Sequence, residues 1–331
     1  MHFQIEDALV AHRVSRPHTF EHLQYGGIAE THVLALTAQG KLIEDCFFGG
    51  IDRRHWFDNV NPRLDGLTEV KIPRAYLLHI KWWRNFFHFM MELFPNMHYF
   101  SQQLMDTGCL LMVPELNKVI SECLEICGIP SERVLVMRGN TRYLVTEFCY
   151  SPTSARGDTQ QHAAAFRHLA TYFSDVEPSC PAMNKVFISR ADNAPNKRFN
   201  NNANGRNRTI ENEAAIQAWL DSQGFAVRTV GTMTFRQKAA MLRDVEFMVT
   251  SHGGNMMNCP LAPKLKRLLM MSPQGADYVD ESFRNMMAAV NPHVDFQIIY
   301  GPQASDHDEI HFAQSPYSIE LSEFKEVVRS W

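Results

Sequence analysis

From residue 75 onward the apolar positions follow two periods that take turns along the chain. Short apolar runs read as buried strands, and apolar residues three and four apart read as helices packed against them. In the first half this predicts strands over 75–80, 109–113 and 133–137. Helices are expected over 83–100, over 116–127 with Gly128 and Pro130 ending it, and over 162–173. The segment 175–182 (DVEPSCPA) has two prolines and no period, which marks a domain boundary. Beyond it, strands are expected over 185–189, 226–230, 246–250, 265–271 and 294–300. Helices fall between them over 211–222, 234–242 and 280–289, with Thr234 and Gln237 in the N-cap and N3 spacing of a capping box. The first 70 residues give only a hairpin of 32–37 and 41–47 around Gly40, and 193–207, rich in Asn, Gly and cations, reads as a long loop.

Strands alternating with helices predict right-handed βαβ units and parallel sheets. The chain therefore reads as two α/β domains, 1–180 and 181–331, facing each other across a cleft. A length of 331 residues suits two domains with a core each, and 45% hydrophobic residues excludes a disordered chain. A net charge of −4 without a basic stripe excludes a dedicated nucleic-acid binder, which needs clustered cations to displace counterions. Seven cysteines with no CxxC pair leave an odd thiol in any full disulfide scheme, which fits a reducing compartment. The start lacks the basic and apolar regions of a signal peptide, and Arg84, His88, Glu92 and His98 interrupt the apolar stretch 82–100. That stretch is not a membrane span, so the expected location is cytoplasmic.

Three places carry candidate chemistry. In 245–258 (VEFMVTSHGGNMMN) a buried strand runs into Ser251, His252, Gly253 and Gly254, with a helix starting at Asn255. Backbone N–H groups and a positive helix end at the carboxyl edge of a parallel sheet suit a phosphate. A tight turn with a hydrogen-bonded histidine fits the same residues. At the end of another strand stand Ser189 and Arg190, followed by Arg198, Arg206 and Arg208. Arginines gathered there can clamp a diphosphate, or simply coat a solvated loop. Third, His88 and Glu92 share a helix face four residues apart, the spacing of an imidazole oriented by a carboxylate for base catalysis. A buried structural pair has the same spacing. His307, Asp308 and His311 miss the HExxH pattern of a zinc helix, and no metal site is expected.

Taken in order, these segments resemble glycosyltransferase family 61. Asn85–Glu92 with Pro95 is similar to its N-Y-Y-H-W-x-x-E-x-x-P block, and Ile188-Ser189-Arg190 to its I-S-R strand end. Arg208–Glu213 is similar to R-x-I-x-N-E, and Ser251–Asn258 to x-H-G-A-G-L-T-N. Two positions depart from the pattern: Asn255 replaces the second family glycine, and Met270 stands where the next strand carries an acid. The resemblance implies two Rossmann-like domains of the GT-B type, with the acceptor on 1–180 and a nucleotide-diphospho-sugar, a UDP-sugar first, on 181–331. It implies an inverting, metal-independent transfer to a polysaccharide or glycolipid hydroxyl, with no cofactor beyond the donor. His88 is then the base, oriented by Glu92; the alternatives are exchanged roles, or His88 binding the acceptor while another carboxylate is the base. Ser189, Arg190, Arg208, Ser251, His252, Gly253, Gly254, Asn255 and Asn258 would hold the donor. A lipid-linked acceptor would bring peripheral contact with the inner face of a membrane. The alternative is a nucleotide-sugar-binding subunit of a polysaccharide assembly with little or no catalysis, which the two departures favour.

Overall fold

The computed structural model describes residues 3–14, 31–36, 68–78, 85–138, 141–150, 159–178, 182–191, 209–303 and 316–331. Contacts divide the chain into two compact units, Met1–Gln161 and His162–Trp331. Each is α/β and built on its own sheet.

The first unit carries strands β1 (Phe3–Val14), β2 (Thr31–Leu36), β3 (Thr68–Leu77), β4 (Leu110–Val113), β5 (Val134–Val136) and β6 (Thr141–Tyr150). They form a six-stranded sheet in the order β2-β1-β6-β3-β4-β5. From β6 to β5 every neighbour is parallel, but β1 runs antiparallel to both β2 and β6. The sheet is therefore mixed, a correction to the all-parallel expectation. It is β1 that pairs with β2, and the predicted hairpin partner 41–47 lies outside the described residues.

Sequence periodicity overlooks β6 and the first half of β3 for one physical reason. The core takes Ile72, then Ala75 and Leu77 from β3, and Val145, then Phe148 and Tyr150 from β6. The two-residue alternation slips by one at the same level of both strands, beside Pro73, which has no N–H for the ladder. On the opposite face Tyr76 meets Tyr99 and Phe100 of helix α1 (Phe94–Gln103), with ring centroids 6.3 and 6.1 Å apart. Helix α2 (Lys118–Ile126) starts at Asn117, whose side chain accepts from the Ile120 N–H at 3.0 Å. It ends at Gly128 with φ 64°, as the sequence predicts. Helix α3 (Thr159–Tyr172) comes after β6.

In the second unit β7 (Lys185–Ile188), β8 (Ala226–Arg228), β9 (Phe247–Ser251), β10 (Arg267–Pro273) and β11 (Asp295–Gly301) form a wholly parallel sheet. Its order is β11-β10-β9-β7-β8. The chain first steps outward from β7 to β8, then crosses back to β9 and proceeds the other way. With right-handed crossovers, the segments that connect the strands after that reversal lie on the face opposite the first helix. One face packs helices α4 (Glu213–Ser222) and α7 (Leu321–Arg329) on Phe187, Val249, Leu269 and Met271. On the other lie α5 (Phe235–Leu242), the 3-10 segment Gly254–Leu261 and α6 (Asp277–Val290). The Cys259 thiol touches the Met248 sulfur there at 3.7 Å. The predicted capping box forms at Thr234 and Gln237. Periodicity does not anticipate helix α7.

The reversal leaves β7 and β9 as neighbours from which the chain departs toward opposite faces. In a doubly wound sheet the crevice outside two such carboxyl ends is the usual ligand position.

Candidate active site

Both segments with the chemistry of an anion site lie at that crevice. Directly after β7, the buried Ser189 hydroxyl donates to the Glu213 carboxylate at 2.6 Å. The Arg190 N–H points at the same oxygen at 3.3 Å, and the Ala191 N–H donates to the Ser189 hydroxyl at 3.0 Å. Glu213 opens α4, where a carboxylate is favoured by the helix dipole. Its neighbour Asn212 grips the Ile319 backbone from both sides, donating to its carbonyl at 2.7 Å and accepting from its N–H at 3.1 Å. The 210–213 segment is thus a clamp: Ile210 is buried, Asn212 fixes the chain before α7, and Glu213 sets the end of β7.

After β9 the chain turns at Gly253, with φ 109° and ψ −144°, a conformation open essentially to glycine alone. From Gly254 the chain forms a 3-10 segment rather than the α-helix expected from Asn255. The Asn255 side chain donates to the Ile188 carbonyl at 3.3 Å, and the Asn258 side chain donates to the Asn255 carbonyl at 2.8 Å. Asn255 therefore ties the turn to β7, a link that glycine could not make. The Arg190 guanidinium donates to the His252 carbonyl at 3.1 Å, so the two strand ends are joined a second time. Around this junction Thr250 Oγ1, Ser251 Oγ and Asn258 Oδ1 are buried without a hydrogen-bond partner. An unsatisfied buried polar atom costs about 1–3 kcal/mol, which a polar ligand or water recovers.

The His252 ring is 3% exposed and faces α6. Its Nδ1 lies 2.7 Å from Asp280 Oδ1 and 3.0 Å from Ser272 Oγ, and the Ser272 hydroxyl donates to Asp280 Oδ2 at 2.8 Å. Phe283 packs against the ring edge-to-face, with centroids 5.4 Å apart. Serine and aspartate meet the same ring nitrogen, so this is not a Ser-His-Asp relay, which uses both. Met270 is fully buried in β10, and the carboxylate that bonds the His252 ring comes instead from α6.

In the first unit, Asn85 caps a short helical turn, Phe86–His88, by accepting from the Phe87 N–H at 3.0 Å. The chain then widens into a π segment, Phe89–Leu93, before α1. The one helix expected over 83–100 is thus split; π turns of this kind are frequent at functional sites. Across this turn His88 Nδ1 and Glu92 Oε1 are 2.8 Å apart. Glu92 is buried, with 3% of its side chain exposed, whereas His88 keeps 20%. In the tautomer with Nδ1 protonated, the carboxylate accepts from it and the ring lone pair is on Nε2. Below, the Asn96 side chain donates to the Glu92 carbonyl at 2.8 Å and accepts from Gln161 at 3.0 Å.

The structure thus brings together Ser189, Arg190, Ser251, His252, Gly253, Gly254, Asn255 and Asn258 at one sheet edge, and His88 with Glu92 across one helical turn. Arg198, Arg206, Arg208, His307, Asp308 and His311 lie outside the described residues. Glu213 is part of the R-x-I-x-N-E match, and its place at a helix start is the available signal for its role. Ser272 and Asp280 give no signal, because their contact with His252 joins a strand end to a helix at no fixed spacing.

Among the described residues no helix is long and apolar enough to cross a membrane. No curated protein matches the chain. The family model for Glycosyltransferase 61 matches residues 86–269, more than half of the chain, from the His88 turn through β7 and β9 into β10. The chain belongs to the glycosyltransferase 61 family and is a glycosyltransferase.

Proposed function

We propose that the protein transfers a sugar, with inversion at the anomeric carbon and without a metal, from a nucleotide-diphospho-sugar to a hydroxyl of a polysaccharide or glycolipid. The observation that supports this reading most is the junction of the β7 and β9 ends at the switch point, with Arg190 bonded to the His252 carbonyl at 3.1 Å. A guanidinium carries several N–H donors in a planar fork, and phosphate oxygens are their natural partners. The turn at 253–255 adds backbone N–H groups, and Ser251 adds a buried hydroxyl in need of a partner. Arg208 joins them in this reading. UDP is the first nucleotide to test.

The first unit is then the acceptor side and the second the donor side, the division of labour of a GT-B transferase. His88 Nε2 takes the proton of the acceptor hydroxyl while that oxygen attacks the anomeric carbon, and the bond from this carbon to the diphosphate oxygen breaks. Glu92 holds the ring and stabilises the imidazolium that forms. Negative charge grows on the leaving diphosphate, and Arg190 and the turn are set to receive it. The enzyme works in the cytoplasm, with peripheral membrane contact where the acceptor is lipid-linked. NMR of the product tests the reading: a donor with an α-linked sugar gives a β-linked product that still forms in EDTA. An α-linked product, or activity abolished by EDTA and restored by a divalent ion, overturns it.

A further inference from the structure

Two carboxylates are linked to Arg190, one directly and one through His252. Glu213 holds its backbone N–H and the preceding Ser189 hydroxyl. Asp280 acts from α6 through a longer path. It accepts from His252 Nδ1, and the His252 carbonyl accepts the Arg190 guanidinium. The His252 N–H is itself bonded to the Met271 carbonyl at 2.8 Å, so this residue is pinned by its backbone on β10 and by its ring on α6.

We propose that Asp280 is a positioning residue of the donor site, acting through His252 to set Arg190 and the Gly253 turn for the diphosphate. This rests on the donor-site reading of the proposed function. Asp280 is 1% exposed, and its two oxygens are occupied by the His252 ring and the Ser272 hydroxyl. A carboxylate buried to that degree is costly unless fully bonded. Its geometry fits a single ring orientation: Nδ1 must carry a proton and must face α6. Loss of the Asp280 contact would release the ring from α6 and leave the residue whose carbonyl accepts from Arg190 held by its backbone bond to Met271 alone. The guanidinium is thereby held before a ligand arrives, and preorganisation of this kind raises affinity by removing an ordering cost. Ser272 completes the carboxylate through its own hydroxyl.

The test uses the full chain and the isosteric Asp280→Asn. Binding of UDP, GDP and CDP is measured by calorimetry beside binding of the parent nucleosides. For the nucleoside diphosphate that the wild type binds, the variant raises the dissociation constant about tenfold, while affinity for the nucleoside is unchanged. A merely structural role would leave both affinities alone or weaken both together, and either result overturns the proposal. Nitrogen NMR of the wild type, assigned with His252→Gln, supplies a readout independent of the variant's folding. It shows Nδ1 of His252 protonated; an unprotonated Nδ1 overturns the proposal even if nucleotides bind. A wild type that binds none of the three diphosphates overturns the donor-site reading and the proposal with it, whereas binding that Asp280→Asn leaves intact overturns the proposal alone.

Discussion

The two units place their candidate site residues differently. In the second, the candidate residues come from loops at the ends of β7 and β9, and the sheet order alone says where they meet. Their precision is a backbone matter: Gly253 at φ 109°, and the Asn255 and Arg190 side chains bonded to carbonyls of the opposite strand end. In the first, the candidate site is a pair of side chains one turn apart, His88 and Glu92, on a segment that has left regular helical geometry. Nothing in the order of that sheet points to them. An anion site can be inferred from topology, whereas a base must be found as a side chain with a buried partner.

This contrast is broken most strongly at His88. His88→Ala lowers kcat by about 10²–10⁴-fold, the ordinary yield of general base catalysis, and leaves the dissociation constant of the nucleoside diphosphate unchanged. Steady-state kinetics beside calorimetry separate the two effects, and a kcat at the wild-type level removes His88 from the chemistry. Arg190→Ala does the reverse. It weakens the nucleoside diphosphate by about 1.5–3 kcal/mol, the worth of a charge-assisted hydrogen bond, and its effect on kcat under saturating donor is the smaller one.

Gly253→Ala sharpens the backbone side of the comparison. An alanine at this φ and ψ costs about 1–3 kcal/mol, read as a lower denaturation midpoint together with weaker diphosphate binding. Wild-type stability in that variant would mean that the turn relaxes freely and is not the rigid half of the site.

A smaller effect separates the units from their chemistry. Burial pushes the thiols of Cys127 in the first unit and Cys259 in the second up to about 12, from an ordinary value of 9.0. The folded chain therefore holds these protons more tightly than the unfolded one. Their contribution to stability is full below about pH 9 and is lost as pH climbs from there toward 12. Melting temperatures measured on both sides of pH ~9 should fall on the alkaline side, and Cys259→Ala should reduce that fall. Least of all, Thr234→Ala removes the capping box of α5 for about 1 kcal/mol of stability, with diphosphate affinity intact.

The legibility of the sequence divides in the same way. In the second unit every strand is predicted within a few residues, because a sheet covered on both faces gives continuous apolar runs such as Phe187 with Ile188 and Leu268 with Leu269. In the first unit the slip beside Pro73 disguises β6 and half of β3, and β1 joins the sheet antiparallel from the far end of the sequence. The turn after β9 is legible as two glycines, yet the 3-10 segment that follows, with Pro260 inside it and Asn258 bonded to Asn255, is not. His88 with Glu92 is visible as a spacing and becomes a contact in the fold. Asp280 is invisible, because its partner lies 28 residues earlier across a strand and a helix.

The central claim is that the donor diphosphate sits between the ends of β7 and β9, and amide hydrogen exchange with and without UDP tests it most directly. Saturating UDP should slow exchange at 188–191 and 251–258 more than anywhere else in the chain. Protection concentrated in the first unit, or spread evenly with these two segments unchanged, would contradict it.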